Sequence, residues 1–239
     1  MIVRAARTRI LAQLAAAENT GTMTSSLCRL CVEVAQLSGA GVMLSSDGEL
    51  RGLLCHSDEI SGQLGDLEYE LGEGPGLEAI THGCAVLEPD LVSPMISRWV
   101  AFTGPAVDAG ARAVFSFPLH IGTARLGALD LYRDQPGPLT VAQHAQALFM
   151  AEIATEAVLA AQAGASPGAL AWGLDDGAHF HYVVQQAAGI VAVQLGVTVA
   201  DALVRLRAYS FGNERPLDAV ARDTVDHTLR FTGHDDHDG

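Results

Sequence analysis

Residues 115–133 read FSFPLHIGTARLGALDLYR. Two runs of branched and aromatic side chains flank the pair Gly122-Thr123, and in each run apolar residues alternate with others. That period predicts two antiparallel strands, 113–121 and 125–132, joined by a tight turn and burying one face of a sheet. Toward the N-terminus, 40–46 reads as a strand that ends at the turn signal Asp47-Gly48, and 50–56 is its hairpin partner. A short strand is expected at 85–88. Around them lie a helical segment up to about Leu37, a loop and helix region at 67–80, a helix or loop at 97–109, and a long helix over 140–163. Val141, Ala145, Leu148, Phe149, Ile153, Ala157 and Ala160 supply that last helix with an apolar stripe, suited to the sheet or to a second copy of the chain. The fold class is α+β, an antiparallel sheet with flanking helices.

Within 67–80 stands the run Leu71-Gly72-Glu73-Gly74-Pro75-Gly76, followed by Glu78 and Ala79. Its glycines permit close backbone approach or positive φ, and Glu73 can accept backbone hydrogen bonds. No Lys-Ser/Thr pair follows, so it is not a phosphate-cradling P-loop. It reads as a loop over a pocket or a sharp turn before a helix that starts near Leu77. Together with the order of elements, this run resembles a GAF domain over about residues 24–162. The resemblance implies a unit that senses a small molecule, or only joins subunits, with any pocket between the sheet and its covering loops. Trp99, Phe102, Phe115, Phe117, His120 and Asp130 are the candidates to line it. Aromatics at alternating strand positions also serve as plain core. His120 stands alone on its strand, so no haem or other cofactor is expected.

The C-terminal stretch 180–231 reads as three short amphipathic helices. Val183, Ala187, Ile190 and Val191 share one face of the first, which Gly196 stops. Thr198 caps the second, with Asp201 at N3, and Ala202, Leu203, Leu206 and Tyr209 form its apolar side. Gly212-Asn213 breaks the chain, and Pro216 opens a third helix with Leu217, Val220, Ala221 and Val225 inward. Gln186, Ala187, Gly189 and Ile190, then Ala202, Leu203, Leu206 and Arg207, then Leu217, Asp218, Val220 and Ala221 resemble in order and spacing the pattern of an ANTAR domain. The chain departs from that pattern at Ala188, Leu203 and Ser210, where many members carry lysine, an aromatic and alanine. Taken with the first unit, the chain resembles actinobacterial GAF-ANTAR regulators. The resemblance implies binding of structured RNA and promotion of transcription antitermination, with Gln186, Arg205, Arg207, Arg215, Arg222 and Arg230 as the candidate contacts. Between 179 and 231 five arginines balance five acids, in a chain of net charge −14. Binding to phosphates would therefore need the arginines gathered on one surface. The alternative is a signalling scaffold that acts through protein contacts without RNA.

The expected organisation is 1–163 as the GAF-like unit, 164–178 as a linker, 179–232 as the three-helix unit and 233–239 as a disordered tail. Gly164-Ala165-Ser166-Pro167-Gly168 is the clearest break. All fourteen basic side chains are arginine. The N-terminal stretch 1–20 has arginines ahead of an apolar patch interrupted by Gln13 and Glu18, too short to span a bilayer. The expectation is therefore a cytoplasmic homodimer with no membrane segment. Cys28 and Cys31 form a CxxC, but no second ligand pair accompanies it, so they read as buried helical thiols and no metal is expected. The tail residues His234 and His237 with their aspartates are read as solvated. Cys55 and Cys84 fall in the half of the fold where some GAF proteins reduce methionine sulfoxide. Nothing near Cys84 forces such chemistry, although His82 is close in sequence, so no enzyme activity is expected.

Overall fold

The computed structural model describes residues 23–46, 49–94, 98–163 and 177–232, with single helical positions at 8, 10, 12 and 14 before them. The chain divides into two compact units, 1–174 and 175–239. The Gly164–Gly168 break, Trp172 and the tail at 233–239 lie outside the described residues, as does nearly all of 1–20.

In the first unit the described residues form a five-stranded sheet of order β2-β1-β5-β4-β3. The strands are β1 (Gly39–Ser46), β2 (Glu49–His56), β3 (Val86–Glu88), β4 (Ala113–Ile121) and β5 (Ala124–Arg133). Every pairing is antiparallel. The β4–β5 register closes at Ile121 opposite Ala124, across the Gly122-Thr123 turn. The helices are α1 (Met23–Ala35), α2 (Glu59–Leu71), α3 (Pro75–His82), α4 (Val100–Ala109) and α5 (Val141–Ala163). Asp58 caps α2 in a reciprocal box with Ser61, and Thr140 and Gln143 form the same box at the start of α5.

One sheet face carries Ala113, Phe115, Phe117 and Leu119 of β4 with Leu129 and Leu131 of β5. They pack with Leu27, Cys31 and Ala35 of α1 and with Met150, Ala154 and Val158 of α5. The other face is covered too, since Val114 and Tyr132 pack with Leu64, Ala79, Phe102 and Ala106 from α2, α3 and α4. The expectation of a single buried face is corrected here: helices close both sides, and the polar positions of the alternation, Ser116 and Asp130, end up inside. The stripe expected on α5 also shifts. Ile153 and Ala157 are buried, with Ala147, Met150, Ala151 and Ala154, while Val141, Ala145 and Leu148 face outward. Apolar residues occur on every side of this helix, so their spacing does not single out a core side.

Cys28 is not a free thiol. It forms a disulfide with Cys55, tying α1 to β2 across 27 residues with Cα atoms 6.1 Å apart. Cys31 keeps the predicted state of a buried thiol, and burial pushes its pKa up to about 12. The described part of the second unit is three helices, α6 (Gly177–Leu195), α7 (Val199–Gly212) and α8 (Leu217–Val225). Val184, Ala187, Val191, Ala202, Leu203, Leu206, Leu217, Val220 and Ala221 fill its centre. Val183 and Ile190 lie at its edge rather than in it. Thr198 caps α7 by accepting the Asp201 N–H at 3.1 Å, and Tyr209 packs edge-on against Phe231 with ring centres 5.4 Å apart.

Candidate functional site

The glycine-rich run is shaped by two carboxylates, the buried Glu68 and the half-buried Asp130, one of whose oxygens is sealed from solvent. Glu68 near the end of α2 is 1 % exposed. It accepts the Gly76 N–H at 3.1 Å and the Leu77 N–H at 2.9 Å, which places its charge on the first turn of α3. Gly74 sits at φ 150°, and a Cβ there would come within 2.4 Å of the Glu68 side chain. A Cβ on Gly76 would lie 2.8 Å from both oxygens of Asp130. The backbone thus passes between the acids with no room for side chains. Glu73 does accept backbone hydrogen bonds, from Ala101 at 2.5 Å and Phe102 at 3.0 Å. It satisfies the start of α4, which Trp99 enters at φ 50° without a side-chain cap.

Asp130 stands opposite Ser116 in the β4–β5 register. The Ser116 hydroxyl donates to Asp130 Oδ1 at 2.5 Å, while Asp130 Oδ2 is buried without a hydrogen-bond partner in the protein. Burial pushes the Asp130 carboxyl up to about 7, against the lowering effect of the serine. Glu68 is held well above the ordinary carboxylate range by burial and by the nearby charge of Asp130, with the two amide donors acting the other way. The two acids share a cavity of about 10 Å³, room for roughly one water. Ser61, Leu64, Pro75, Phe102 and Tyr132 complete its wall. A second polar group lies nearby on the same covering layer: Arg98 bonds Glu78 at 2.7 Å and Glu88 at 3.5 Å, and Trp99 Nε1 donates to Glu78 at 2.8 Å.

Of the six residues proposed for the pocket, Phe102 and Asp130 line this cavity. Trp99 packs edge-on against Phe102, with ring centres 6.1 Å apart, just behind it. Phe115 and Phe117 are corrected to the opposite face, where Phe117 meets the His144 ring at 5.6 Å. Strand alternation dictates this, since odd-numbered β4 residues face α1 and α5. His120 is exposed and borders a separate, shallower hollow of about 200 Å³ with Arg125. Sequence reasoning missed Glu68 and Ser116; for Ser116 the available signal was a polar residue inside an otherwise apolar strand, and no such signal marks Glu68. Among the described residues no group of three or more His, Cys, Asp or Glu side chains could hold a metal ion.

In the second unit, Gln186, Arg205, Arg222 and Arg230 are exposed, and Arg207 and Arg215 are half-buried. Arg222 pairs with Asp218 at 2.7 Å, one helical turn away, and Arg215 pairs with Asp223 at 2.7 Å. The outer side of α8 therefore runs Asp218, Arg222, Asp226, two negative charges around one positive. Tyr182, Val193, Val204 and Phe211 are exposed apolar residues on α6 and α7. Among the described residues, no single helix of the chain is long and apolar enough to cross a membrane.

No family model matches this sequence, and no curated protein matches it. Solved structures do. The GAF domain of a phosphoenolpyruvate-protein phosphotransferase from Acinetobacter is 12% identical, with a TM-score of 0.51 over 68% of this chain and 96% of that one. The corresponding domain from Coxiella burnetii is 14% identical, with a TM-score of 0.50 over 67% and 95%. Free methionine-R-sulfoxide reductase from Neisseria meningitidis, solved with its substrate, is 15% identical, with a TM-score of 0.51 over 68% and 92%. At such identities the likeness is one of fold, and with the sheet order and the helices on both faces it gives the larger unit of this chain a GAF fold.

Proposed function

We propose that this chain is a signal-responsive regulator. The GAF unit receives a small molecule, holds a dimer, or does both, and the three-helix unit delivers the output by binding a structured RNA and favouring transcription antitermination. The receiving role is carried by one observation, a small cavity beneath the covering helices that holds the buried Glu68 and the half-buried Asp130 with its Oδ2 sealed from solvent. The RNA role rests on the ANTAR-like pattern, whose small and apolar residues Ala187, Ala202, Leu206, Val220 and Ala221 are buried while Arg205, Arg222 and Arg230 are exposed. No catalytic step is assigned. The reductase chemistry named for the Neisseria neighbour is not carried over, because Cys55 is bound to Cys28, Cys84 lies on the surface, and neither lines the cavity.

A second reading, output through protein contacts, is favoured by a specific observation. Arg215 and Arg222 are paired with acids, while apolar side chains of α6 and α7 face solvent, with Val193 85% and Phe211 71% exposed. Exposed ion pairs are weak and can be given up to a phosphate, so the pairing ranks the readings without deciding between them. A salt titration of the full chain against stem-loop and unstructured RNA decides. RNA recognition predicts structure-selective binding that weakens with salt, and Arg222→Gln should lower affinity for every RNA while flattening the salt slope by about one. Absence of binding at low salt would leave the protein-contact reading. The cytoplasm is the compartment such a regulator requires. The Cys28–Cys55 bond speaks against it, since cytosolic thiols are held reduced as a rule, and thiol trapping in intact cells tests the point.

A further inference from the structure

Asp130 Oδ2 is an acceptor with no donor in the protein, buried at the wall of a cavity that also holds Glu68. A buried carboxylate oxygen without a partner is costly, and a second carboxylate beside it makes the place more electronegative still. The donors already present are spoken for: the Gly76 and Leu77 amides serve Glu68, and the Ser116 hydroxyl serves Asp130 Oδ1. The missing group is therefore a hydrogen-bond donor, and two carboxylates side by side favour one that carries positive charge over a neutral water. Its size is set by the space, about 10 Å³, which suits a water-sized group and not a planar guanidinium or a trimethylated nitrogen. Two carboxylates are also too few for a calcium-like ion, which takes six to eight oxygens.

We infer that Glu68 and Asp130 form the seat of a small ammonium group, either the free ion or the head of a primary amine, beneath α2, α3 and α4. The inference rests on the reading of the GAF unit as a receiver of a small molecule and names the class of that molecule. Three titratable groups face the seat: Glu68 from α2, and Asp130 and Tyr132 from β5. Tyr132 donates to Asp58 at 3.3 Å and, pushed up to about 12, stays neutral. Burial raises Asp130 to about 7 and shifts Glu68 in the same direction, so a cation arriving near neutral pH displaces protons from the pair to the buffer and leaves a carboxylate–ammonium contact.

The test is thermal unfolding of the full chain in ammonium chloride and methylammonium chloride, against potassium chloride and tetramethylammonium chloride at equal ionic strength. A rise in Tm of about 3 °C confined to the first two salts is expected near saturation. Titration calorimetry in buffers of different ionisation heat should register proton release. A response to ammonium alone identifies a seat for the free ion, and a response to both salts identifies the head of an amine. Asp130→Asn should abolish either response. Should that variant fail to fold, transfer of magnetisation from isotope-labelled ammonium to the Gly76 and Ser116 protons of the unaltered chain decides instead. Equal Tm in all four salts, with no such transfer, overturns the inference. If neutral compounds then still raise Tm, the receiving role stands and only its cationic class falls; if no small molecule does, the receiving role falls with it.

Discussion

Asp130 shows how a strand position changes meaning when both faces of a sheet are covered. In FSFPLHIGTARLGALDLYR it reads as one polar step of an alternation, and alternation alone would put it in water. Helices α2 to α4 enclose it, and its carboxyl rises to about 7 from an unfolded value near 3.8. The sign follows from linkage. A carboxyl whose folded pKa is raised favours the folded state fully only while it is protonated in both states, so its contribution is lost as pH climbs from about 4 to 7 and stays lost above. Glu68 is shifted in the same direction. The protein should therefore be more stable near pH 5 than near pH 8, with about 2.7 kcal/mol of the difference owed to Asp130 over the roughly two pH units between 5 and its folded value. Denaturant unfolding at the two values checks this. Asp130→Asn, which has no charge to desolvate, should lose less stability between them; an unchanged slope in the variant would remove Asp130 from the account. The companion acid Glu68 was not legible in the sequence, because nothing in a helix ending LEYEL marks which glutamate turns inward.

At the scale of elements, legibility followed range. The β4–β5 hairpin is written locally, in its period and its two-residue turn, and the strands stand within a residue of their expected ends. Thr198 as the cap of α7 is local in the same way. The side of α5 that meets the sheet is not, because Ala147, Ala151 and Ala154 bury as well as the larger residues the stripe was built on. The pairing of Cys28 with Cys55 is less legible still: Cys31 is nearer in sequence, but a helix cannot bring residues three apart into bonding geometry as readily as a neighbouring strand can. Closing a 27-residue loop restricts the unfolded chain by about 3.5 kcal/mol in the chain-entropy treatment. Reduction under mild thiol should accordingly lower Tm by roughly 7 to 14 °C, and Cys55→Ser should show the lower value without reductant. A Tm indifferent to reductant would mean that α1 is held to the sheet by packing alone.

For the whole molecule the governing quantity is charge. A net −14 without a single lysine opposes both of the associations proposed for it, but it does so with opposite dependence on salt. Self-association brings like charges together, so screening strengthens it; RNA binding through arginines releases counterions, so added salt weakens it. The surface offered for a dimer is the outward side of α5, where Val141 is 91% and Leu148 44% exposed and Ala145 lies between them at helical spacing. A dimer built there should tighten as salt rises over the range in which RNA affinity falls. Light scattering and RNA titration on one set of samples would read both. Leu148→Arg should shift the chain to monomer at every salt concentration, because it sets a cation into the apolar contact on each copy, while the circular dichroism of the fold stays unchanged. A dimer that persists in this variant would place the contact elsewhere, and a dimer that loosens with salt would show that it is held by charge pairs and not by the α5 stripe.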